Sequence, residues 1–259
     1  MTARLFIFGL GYSATRIAAA AEAQGWQVVS TGRAGTLSFD DNGSVRTALA
    51  DSDQVLSSVP PGGDGDPVLE RYGDALTGKQ LSYLSSTGVY GDQGGAWVDE
   101  SAPTGTGRRT ARSEADAHWL ALGARVLRLP GIYGPARSAL ERVREGVARR
   151  IDLPDQVFSR VHVDDIVQAA LLALEAPSGA YNIVDDLPCS QNTVIEHACA
   201  MLGAPFPPLQ SLDEAQLSPM ARGFYAESRR VANGKAKRVL RWQPRYPTYR
   251  EGLSACLAA

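Results

Sequence analysis

The chain of 259 residues is poor in lysine, in cysteine and in long apolar runs, and each shortage excludes a class of protein. It has only three lysines, Lys79, Lys235 and Lys237, and its formal net charge is −2, so we expect no overall attraction to nucleic acid or to an anionic membrane. The three cysteines are widely spaced and form neither a CxxC pair nor a disulfide framework. Apolar runs stay below the roughly 18 residues of a membrane-spanning helix. We therefore expect a soluble, cytoplasmic protein without a secretory leader.

Metal ligands are scarce as well. The chain has three histidines and three cysteines, and no cluster of these residues with Asp or Glu has metal-ligand spacing, so we predict no metal site. A hydrophobic fraction of 44% is ordinary for a globular protein, so a sizeable core can form.

Short apolar runs alternate with helical patterns over the first part of the chain. Strands are predicted at residues 5–8, 27–31, 37–40, 55–59, 81–85 and 124–129, followed by a short strand at 181–184. Helices are predicted at residues 14–24, 110–122, 139–149, 165–175, 192–202 and 234–240. This order predicts an α/β fold with a doubly wound, Rossmann-like parallel sheet. Residues 1–135 form the predicted dinucleotide-binding domain, to which later segments return, and residues 136–259 mainly form a small C-terminal α/β substrate lobe.

A glycine-rich loop follows the first predicted strand and opens a helix. Its first glycine permits a tight turn, its second lets the backbone approach a pyrophosphate, and alanine stands where a third glycine often keeps helix and strand close. The helix N-terminus then offers free N–H groups to the phosphates. The residues predicted to bind a dinucleotide here are Gly9, Gly11, Tyr12, Ser13 and Ala14.

The end of the second strand bears on which dinucleotide is bound. NAD-preferring sites usually place Asp or Glu there, whereas this chain has Thr31-Gly32-Arg33. Because Arg33 with Thr31 or Ser30 could hold a 2′-phosphate, we favour NADP over NAD. Asp40 could hydrogen-bond the adenine amino group, although a helix-capping or turn role is equally open. Val59, which ends the fourth predicted strand, completes this side of the predicted cofactor site.

Three further motifs follow the glycine loop in order. They are Ser85-Ser86-Thr87-Gly88-Val89-Tyr90-Gly91, Leu127-Arg128-Leu129-Pro130-Gly131-Ile132-Tyr133-Gly134-Pro135 and Val161-His162-Val163-Asp164-Asp165. With these motifs nearly the whole chain resembles the short-chain dehydrogenase/reductase superfamily, in its extended and atypical members of the NAD-dependent epimerase/dehydratase type. The resemblance implies that Ser86, helped by Thr87, hydrogen-bonds the reacting oxygen. It also implies that Pro130 and Gly131 line the nicotinamide pocket.

The tyrosine and lysine that usually complete such a site are absent. No tyrosine lies between Tyr90 and Tyr133, and no lysine lies between Lys79 and Lys235. In the family the tyrosine has its lysine at +4 and a glutamate at +8, and its pKa is lowered by the neighbouring positive charges. Without the pair, the usual proton-transfer machinery of the family is missing.

Two alignments of the segment before residue 115 can be compared with that pattern. Anchoring on Glu114 as the glutamate puts Thr106 at the tyrosine position and Thr110 at the lysine position. Anchoring on Ala111-Arg112-Ser113 puts Thr110 at the tyrosine position and Glu114 at the lysine position. Neither restores the pair, because a threonine hydroxyl titrates too high to act unaided as a base.

Two more departures narrow the chemistry. Dehydratases of the family carry Asp-Glu where this chain has Thr87-Gly88, so a sugar-nucleotide dehydratase is disfavoured. Epimerases acting on sugar nucleotides commonly carry Asn where this chain has Gly131, which weakens that hypothesis too.

Arginines near the predicted pocket are the candidates for substrate recognition. Arg137 follows the Gly134-Pro135 pair and Arg160 precedes His162 by two residues, and guanidinium groups recognise carboxylate or phosphate. His162 is interpreted as structural, with Asp164-Asp165 capping the helix that follows.

These features lead to two functional hypotheses. The first is an NADP-binding oxidoreductase or epimerase-like enzyme that acts on a small, polar, anionic substrate. The alternative is a non-catalytic NADP(H) sensor or binding module with a degenerate active site. A homodimer is compatible with either hypothesis.

Overall fold

A computed structural model of the protein describes residues 3–63, 65–107 and 110–258. Its strands are β1 (Arg4–Phe8), β2 (Gln27–Ser30), β3 (Gln54–Ser57), β4 (Gln80–Ser86), β5 (Trp97–Val98), β6 (Arg125–Leu129), β7 (Gly131–Tyr133), β8 (Arg150–Ile151), β9 (Arg160–His162), β10 (Gly179–Asn182), β11 (Leu209–Gln210) and β12 (Arg230–Val231). Its helices are α1 (Tyr12–Ala23), α2 (Asn42–Ala50), α3 (Pro67–Tyr72), α4 (Thr110–Ala121), α5 (Ala139–Arg144), α6 (Val163–Ala173), α7 (Gln191–Leu202), α8 (Pro219–Phe224), α9 (Gly234–Val239) and α10 (Tyr249–Ala258).

The central sheet confirms the predicted fold class. Six parallel strands lie in the order β2-β1-β3-β4-β6-β10. The chain leaves β1 for β2 on one side and later returns to β3 on the other, so the strand order reverses between β1 and β3. In such sheets ligands bind at the carboxyl ends of the strands beside this reversal. The glycine-rich loop leaves β1 at that point.

Buried apolar side chains cover both faces of the sheet. On one face α1 and α6 pack together over the sheet, and Trp242, which is fully buried, belongs to the same cluster. On the other face residues of α2, α3 and α4 form a second cluster that includes Tyr72 and Trp119. A third cluster joins α5, α7 and α10. The β-strands are fully buried where both faces are covered, which explains their nearly continuous apolar sequences.

The predicted strand at residues 37–40 is wrong. Leu37 makes only an isolated bridge to Thr31, and the chain then turns into α2. The reason is local. The Thr36 hydroxyl accepts from the N–H of Ser30 (3.1 Å) and donates to the carbonyl of Ser30 (3.2 Å). The backbone groups with which a longer strand would pair are therefore already hydrogen-bonded. Phe39 still packs against the second cluster, which accounts for the alternating apolar pattern.

Some strands after residue 135 belong to the main sheet, and others form separate two-stranded sheets. β10, predicted two residues further along the chain, is the outer strand of the main sheet. Three two-stranded parallel pairs, β7 with β9, β5 with β12 and β8 with β11, lie outside the main sheet. Helix α5 ends at Arg144 rather than at residue 149. The division of the chain at residue 135 stays a prediction. No helix in the described ranges has the length and apolar character needed to span a membrane.

Candidate active site

The glycine-rich loop has the geometry of a phosphate-binding turn. Gly9 has φ +81°, and a Cβ there would lie 3.0 Å from Val59 Cγ2, so a side chain is excluded on two grounds. At Gly11 a Cβ would meet nothing within 4 Å, and no side chain caps the N-terminus of α1. Open space therefore lies in front of uncapped backbone N–H groups, which fits a dinucleotide pyrophosphate.

Thr31 lies against the glycine loop. Its hydroxyl accepts a hydrogen bond from the N–H of Gly9 (3.2 Å), and the residue is 1% exposed. Gly32 next to it has φ +123°, and a Cβ there would lie 2.9 Å from the N of Leu10. Thr31 and Gly32 thus hold the glycine loop in place, and a contact of Thr31 with a 2′-phosphate stays a prediction. Arg33 is exposed and makes no hydrogen bond or ion pair with the described part of the chain.

Asp40 and Tyr12 have partners within the protein. The Asp40 carboxylate pairs with Arg71, and Asp41 rather than Asp40 caps α2 by accepting from the N–H of Ser44 (3.1 Å). The turn role predicted as the alternative for Asp40 is therefore the one the contacts favour. The Tyr12 hydroxyl donates to the carbonyl of Pro135 (2.9 Å), which ties the glycine loop to the end of the β7 segment.

Ser86 and Thr87 lie where the resemblance implied, at the carboxyl end of β4. The Ser86 hydroxyl accepts a hydrogen bond from the N–H of Gly88 (3.1 Å) and so starts a short 3₁₀ turn. Both residues line a cavity of about 590 Å³, and Pro130, Gly131 and Arg137 line the same cavity. The structure thereby brings together the predicted catalytic, nicotinamide and substrate residues.

Asp116, and not Glu114, is the buried acidic residue of α4. Glu114 is exposed, whereas the Asp116 carboxylate accepts from Ser85 Oγ (2.5 Å), Arg128 Nε (3.1 Å) and Arg128 Nη2 (2.7 Å). Taken as the acidic residue of the family pattern, Asp116 puts Arg112 at the lysine position. The tyrosine position then falls on Arg108, which lies outside the described residues.

Asp116 thus offers a third alignment beside those anchored on Glu114 and on Ala111-Arg112-Ser113. Thr106 donates its hydroxyl to the carbonyl of Tyr90 (3.0 Å), and Thr110 is exposed and does not line the cavity. Arg112 does line it, and its Nη1 donates to the hydroxyl of Tyr83 (3.2 Å). Burial raises the pKa of Tyr83 to about 12, so this phenol stays neutral and accepts from the guanidinium.

Arg160 borders the cavity, but its guanidinium is already engaged. Nη1 donates to the carbonyls of Phe158 and Cys189 (both 3.1 Å), and Nη2 donates to the carbonyl of Ser190 (3.1 Å). These contacts argue against the substrate role predicted for Arg160 and give it a structural one. Nearby, burial raises the pKa of Asp185 to about 7, and its Oδ2 has no hydrogen-bond partner among the described residues.

His162 is structural as predicted, but the capping arrangement differs. Helix α6 begins at Val163, and His162 itself caps it, because its Nδ1 accepts from the N–H of Asp164 (3.2 Å). Asp165 instead accepts from the N–H groups of Arg245 (2.5 Å) and Tyr246 (3.2 Å). It thereby fastens the C-terminal segment to α6.

The sequence left open whether Phe224-Tyr225 and Arg229-Arg230 close over the pocket or pack the lobe or an interface. Residues of the segment 225–231, which we call the strap, line the cavity. Every second residue of the strap lines the cavity: Tyr225, Glu227, Arg229 and Val231. Between them, Ser228 faces the other way, with its N–H donating to Asp92 Oδ1 (2.8 Å) and its carbonyl accepting from the N–H groups of Gln93 and Gly95 (both 3.0 Å). Tyr225 lies in the turn that ends α8, and from Glu227 onward the alternation is that of an extended chain. It is visible in the sequence, but a charged alternating segment is equally typical of an exposed strand.

Two charged side chains of the strap meet the Ser86 end of the cavity. Arg229 Nη1 donates to the carbonyl of Gly91 (2.7 Å) and pairs with Glu227 Oε2 (2.9 Å). A Cβ built on Gly88 would lie 3.2 Å from Ser86 Oγ and 4.0 Å from Arg229 Nη2, so the guanidinium and the serine flank the same glycine. Glu227 is the one carboxylate that lines the cavity within the described residues.

Comparison with known proteins identifies the family. The chain is 38% identical to a functionally unknown conserved protein of Silicibacter pomeroyi DSS, with 99% of each chain covered and a TM-score of 0.88. The UDP-glucose 4-epimerase of Thermus thermophilus, solved as a complex with NAD, is 18% identical with a TM-score of 0.77 over 99% of each chain. The protein therefore has the fold of the extended short-chain dehydrogenases/reductases of the epimerase/dehydratase type. It belongs to the family of the Silicibacter protein.

A curated relative matches over a shorter length. The 3-diazoavenalumate denitrifying reductase of a Streptomyces species is 33% identical over 184 residues, which are 62% of this chain and 59% of that protein. The chain thus spans less than two thirds of this relative. No protein-family model matches the chain.

Proposed function

We propose that the protein is an NADP-dependent oxidoreductase or epimerase-like enzyme that acts on a small, polar, anionic substrate. The observation that carries the proposal is the cavity at the carboxyl ends of β4 and β6, where Ser86 and six arginines line one space. Only one described carboxylate, Glu227, lines this cavity. The arginines that line it number six: Arg112, Arg137, Arg142, Arg149, Arg160 and Arg229. Such a wall attracts anions and disfavours cations. The Streptomyces relative is a reductase by name, which supports the redox part of the proposal.

The cofactor assignment rests on the glycine loop and on the residues predicted to line the nicotinamide pocket. Uncapped N–H groups of α1 suit the pyrophosphate, and Pro130 and Gly131 border the cavity where the nicotinamide of the family lies. Arg33, free of partners in the described chain, would hold the 2′-phosphate that distinguishes NADP from NAD. When bound, the nicotinamide supplies hydride transfer.

In this proposal Ser86 binds the substrate oxygen and Glu227 transfers the proton. The Ser86 hydroxyl would donate to the substrate oxygen, with Thr87 beside it, and the guanidinium of Arg229 would stabilise negative charge there. Glu227, held by Arg229 at this end of the cavity, would accept the proton when an alcohol is oxidised and return it in the reverse direction. This role replaces that of the missing tyrosine. Arg112 stays protonated and so can supply only charge.

Turnover of anionic carbonyl compounds tests this proposal. Wild-type protein with NADPH is assayed on carboxylate-bearing and phosphate-bearing aldehydes and ketones by absorbance of the reduced nicotinamide. We expect Glu227→Gln to lower kcat by roughly 100-fold, the usual size of a general acid–base contribution. Ser86→Ala should lower it at least tenfold, which is about 1.4 kcal/mol in barrier height. Neither change should alter the affinity for NADPH, and the exposed Glu145→Gln serves as the matched control.

The same experiment addresses the non-catalytic alternative, which the absent tyrosine and lysine favour. A sensor would bind NADPH and NADP with unequal affinity and turn nothing over with either nicotinamide cofactor. Absence of turnover combined with tight binding would refute the enzyme and support the sensor. We also propose a cytoplasmic location, and the homodimer remains a prediction.

A further inference from the structure

The arginines of the cavity differ in how far their guanidinium groups are already used. Arg160 is engaged by backbone carbonyls, and Arg229 is engaged by Glu227 and the carbonyl of Gly91. Arg142, on α5, makes no side-chain hydrogen bond or ion pair with any described residue, although it is part of the cavity wall. An unpaired guanidinium facing a cavity is the group that most readily takes an anion.

The neighbours of Arg142 leave it available. Glu141 is the nearest carboxylate along the helix, but it turns back to accept from the N–H of Ser138 (2.6 Å) and pairs with Arg144 (3.7 Å). Arg149, which follows the helix, also lines the cavity and donates to the carbonyl of Ala215. Two cations from one segment thus line the cavity, whereas Glu145, which lies between them in the sequence, is exposed and does not line it.

A flat apolar surface lies next to these cations. The rings of Phe158 and Tyr225 meet edge to face with their centroids 5.7 Å apart, and both residues line the cavity. Ile195 and Leu217 extend the apolar wall. Burial raises the pKa of Tyr225, and the positive charge of Arg142, which lines the same cavity, partly offsets that rise. Cation and aromatic wall are therefore adjacent.

We infer that this end of the cavity is an anion subsite for a substrate that carries its carboxylate or phosphate on a flat, apolar body. Arg142 and Arg149 hold the oxyanion, and the body packs against Phe158 and Tyr225. The other end of the molecule then points to Ser86. Only that last statement rests on the proposed function, since the subsite can be tested without turnover.

The test uses calorimetry with 2-naphthoate and 2-naphthyl phosphate as probes, and the neutral 2-naphthamide and ringless acetate as comparisons. We expect at least one of the two naphthyl anions to bind at least about tenfold more tightly than either comparison, and NADP not to displace it. Arg142→Gln and Arg149→Gln should each weaken that anion by about tenfold, the usual worth of one charge-assisted contact. Arg144→Gln, on the same helix but paired with Glu141, should change its affinity less than twofold.

Three results would overturn the inference. One is naphthyl anions that bind no better than naphthamide, which would remove the anion site. Another is an equal loss in the Arg142 and Arg144 variants, which would reveal general charge attraction. The third is displacement by NADP, which would place the probe in the cofactor site. Arg142 is exposed and Arg149 is partly buried, so unchanged thermal unfolding of each variant checks that the core is intact. If the probes bind as expected but no carbonyl compound is turned over, only the proposed function fails.

Discussion

Replacing Asp116 by asparagine should destabilise the protein strongly, because it removes one charge of a buried ion pair. The Asp116 side chain is 1% exposed and that of Arg128 is 4% exposed. In the wild type the carboxylate accepts two hydrogen bonds from this guanidinium and one from Ser85. An asparagine can accept through one oxygen only, so the guanidinium stays charged and loses its counter-ion in the interior.

The expected loss follows from the energetics of such pairs. Removing one partner of a buried pair costs about 3–5 kcal/mol, whereas domains are stable by only about 5–15 kcal/mol. Urea unfolding followed by far-ultraviolet circular dichroism measures the difference in the free energy of unfolding. Glu114→Gln, an exposed change on the same helix, should stay within about 0.5 kcal/mol of the wild type.

A double substitution gives a second test of the buried ion pair. Asp116→Leu combined with Arg128→Met removes both charges and should recover most of the loss, because no unpaired charge remains. A loss below about 1 kcal/mol for Asp116→Asn would refute the claim that this pair is buried and mutually dependent. So would a double variant that is less stable than either single one.

Two further predictions concern the cofactor and the response to pH. Arg33→Ala should weaken NADPH binding by about tenfold or more while leaving NADH binding within about twofold, measured by nicotinamide fluorescence; equal losses would show that Arg33 does not read the 2′-phosphate. Asp185, whose folded-state pKa is raised by burial to about 7 from an ordinary 3.8, contributes stability that is fully present below pH 3.8 and is lost as the pH rises through 7. Asp185→Asn should therefore raise the free energy of unfolding at pH 8 by at most about 4 kcal/mol and flatten its pH dependence, and an unchanged profile would contradict this.

The parts of the fold that the sequence predicted are those where local pattern and burial agree. β1 is apolar from Leu5 to Phe8 and β3 is apolar at Val55-Leu56, because both faces of the sheet are covered there. The glycine loop follows β1 because a tight turn must precede α1. The strand at residues 37–40 failed since Leu37 and Phe39 alternate for a different reason, namely packing at the sheet edge after the Thr36 side chain has satisfied Ser30.

The candidate site was predictable only where its residues belong to motifs. Ser86 and Gly131 were found in this way, whereas Glu227 and Arg142 come from segments without a motif and reach the cavity through tertiary packing. Thr31 was predicted from its residue type alone. A hydroxyl at the end of β2 suits a ligand by type, but its direction depends on the N–H of Gly9 across the loop. Direction of a side chain, unlike its chemistry, is set by contacts distant in sequence.

The alternating strap also bears on how relatives with this fold can diverge. Its inward positions supply a phenol, a carboxylate and a guanidinium, while its outward Ser228 fastens the backbone to the loop after β4. Anchoring and recognition are therefore assigned to different residues of one short peptide. The inward positions can therefore change without altering the backbone hydrogen bonds of Ser228 to Asp92, Gln93 and Gly95. A one-residue insertion in the extended part of the strap, by contrast, would turn its inward side chains outward and remove them from the cavity wall.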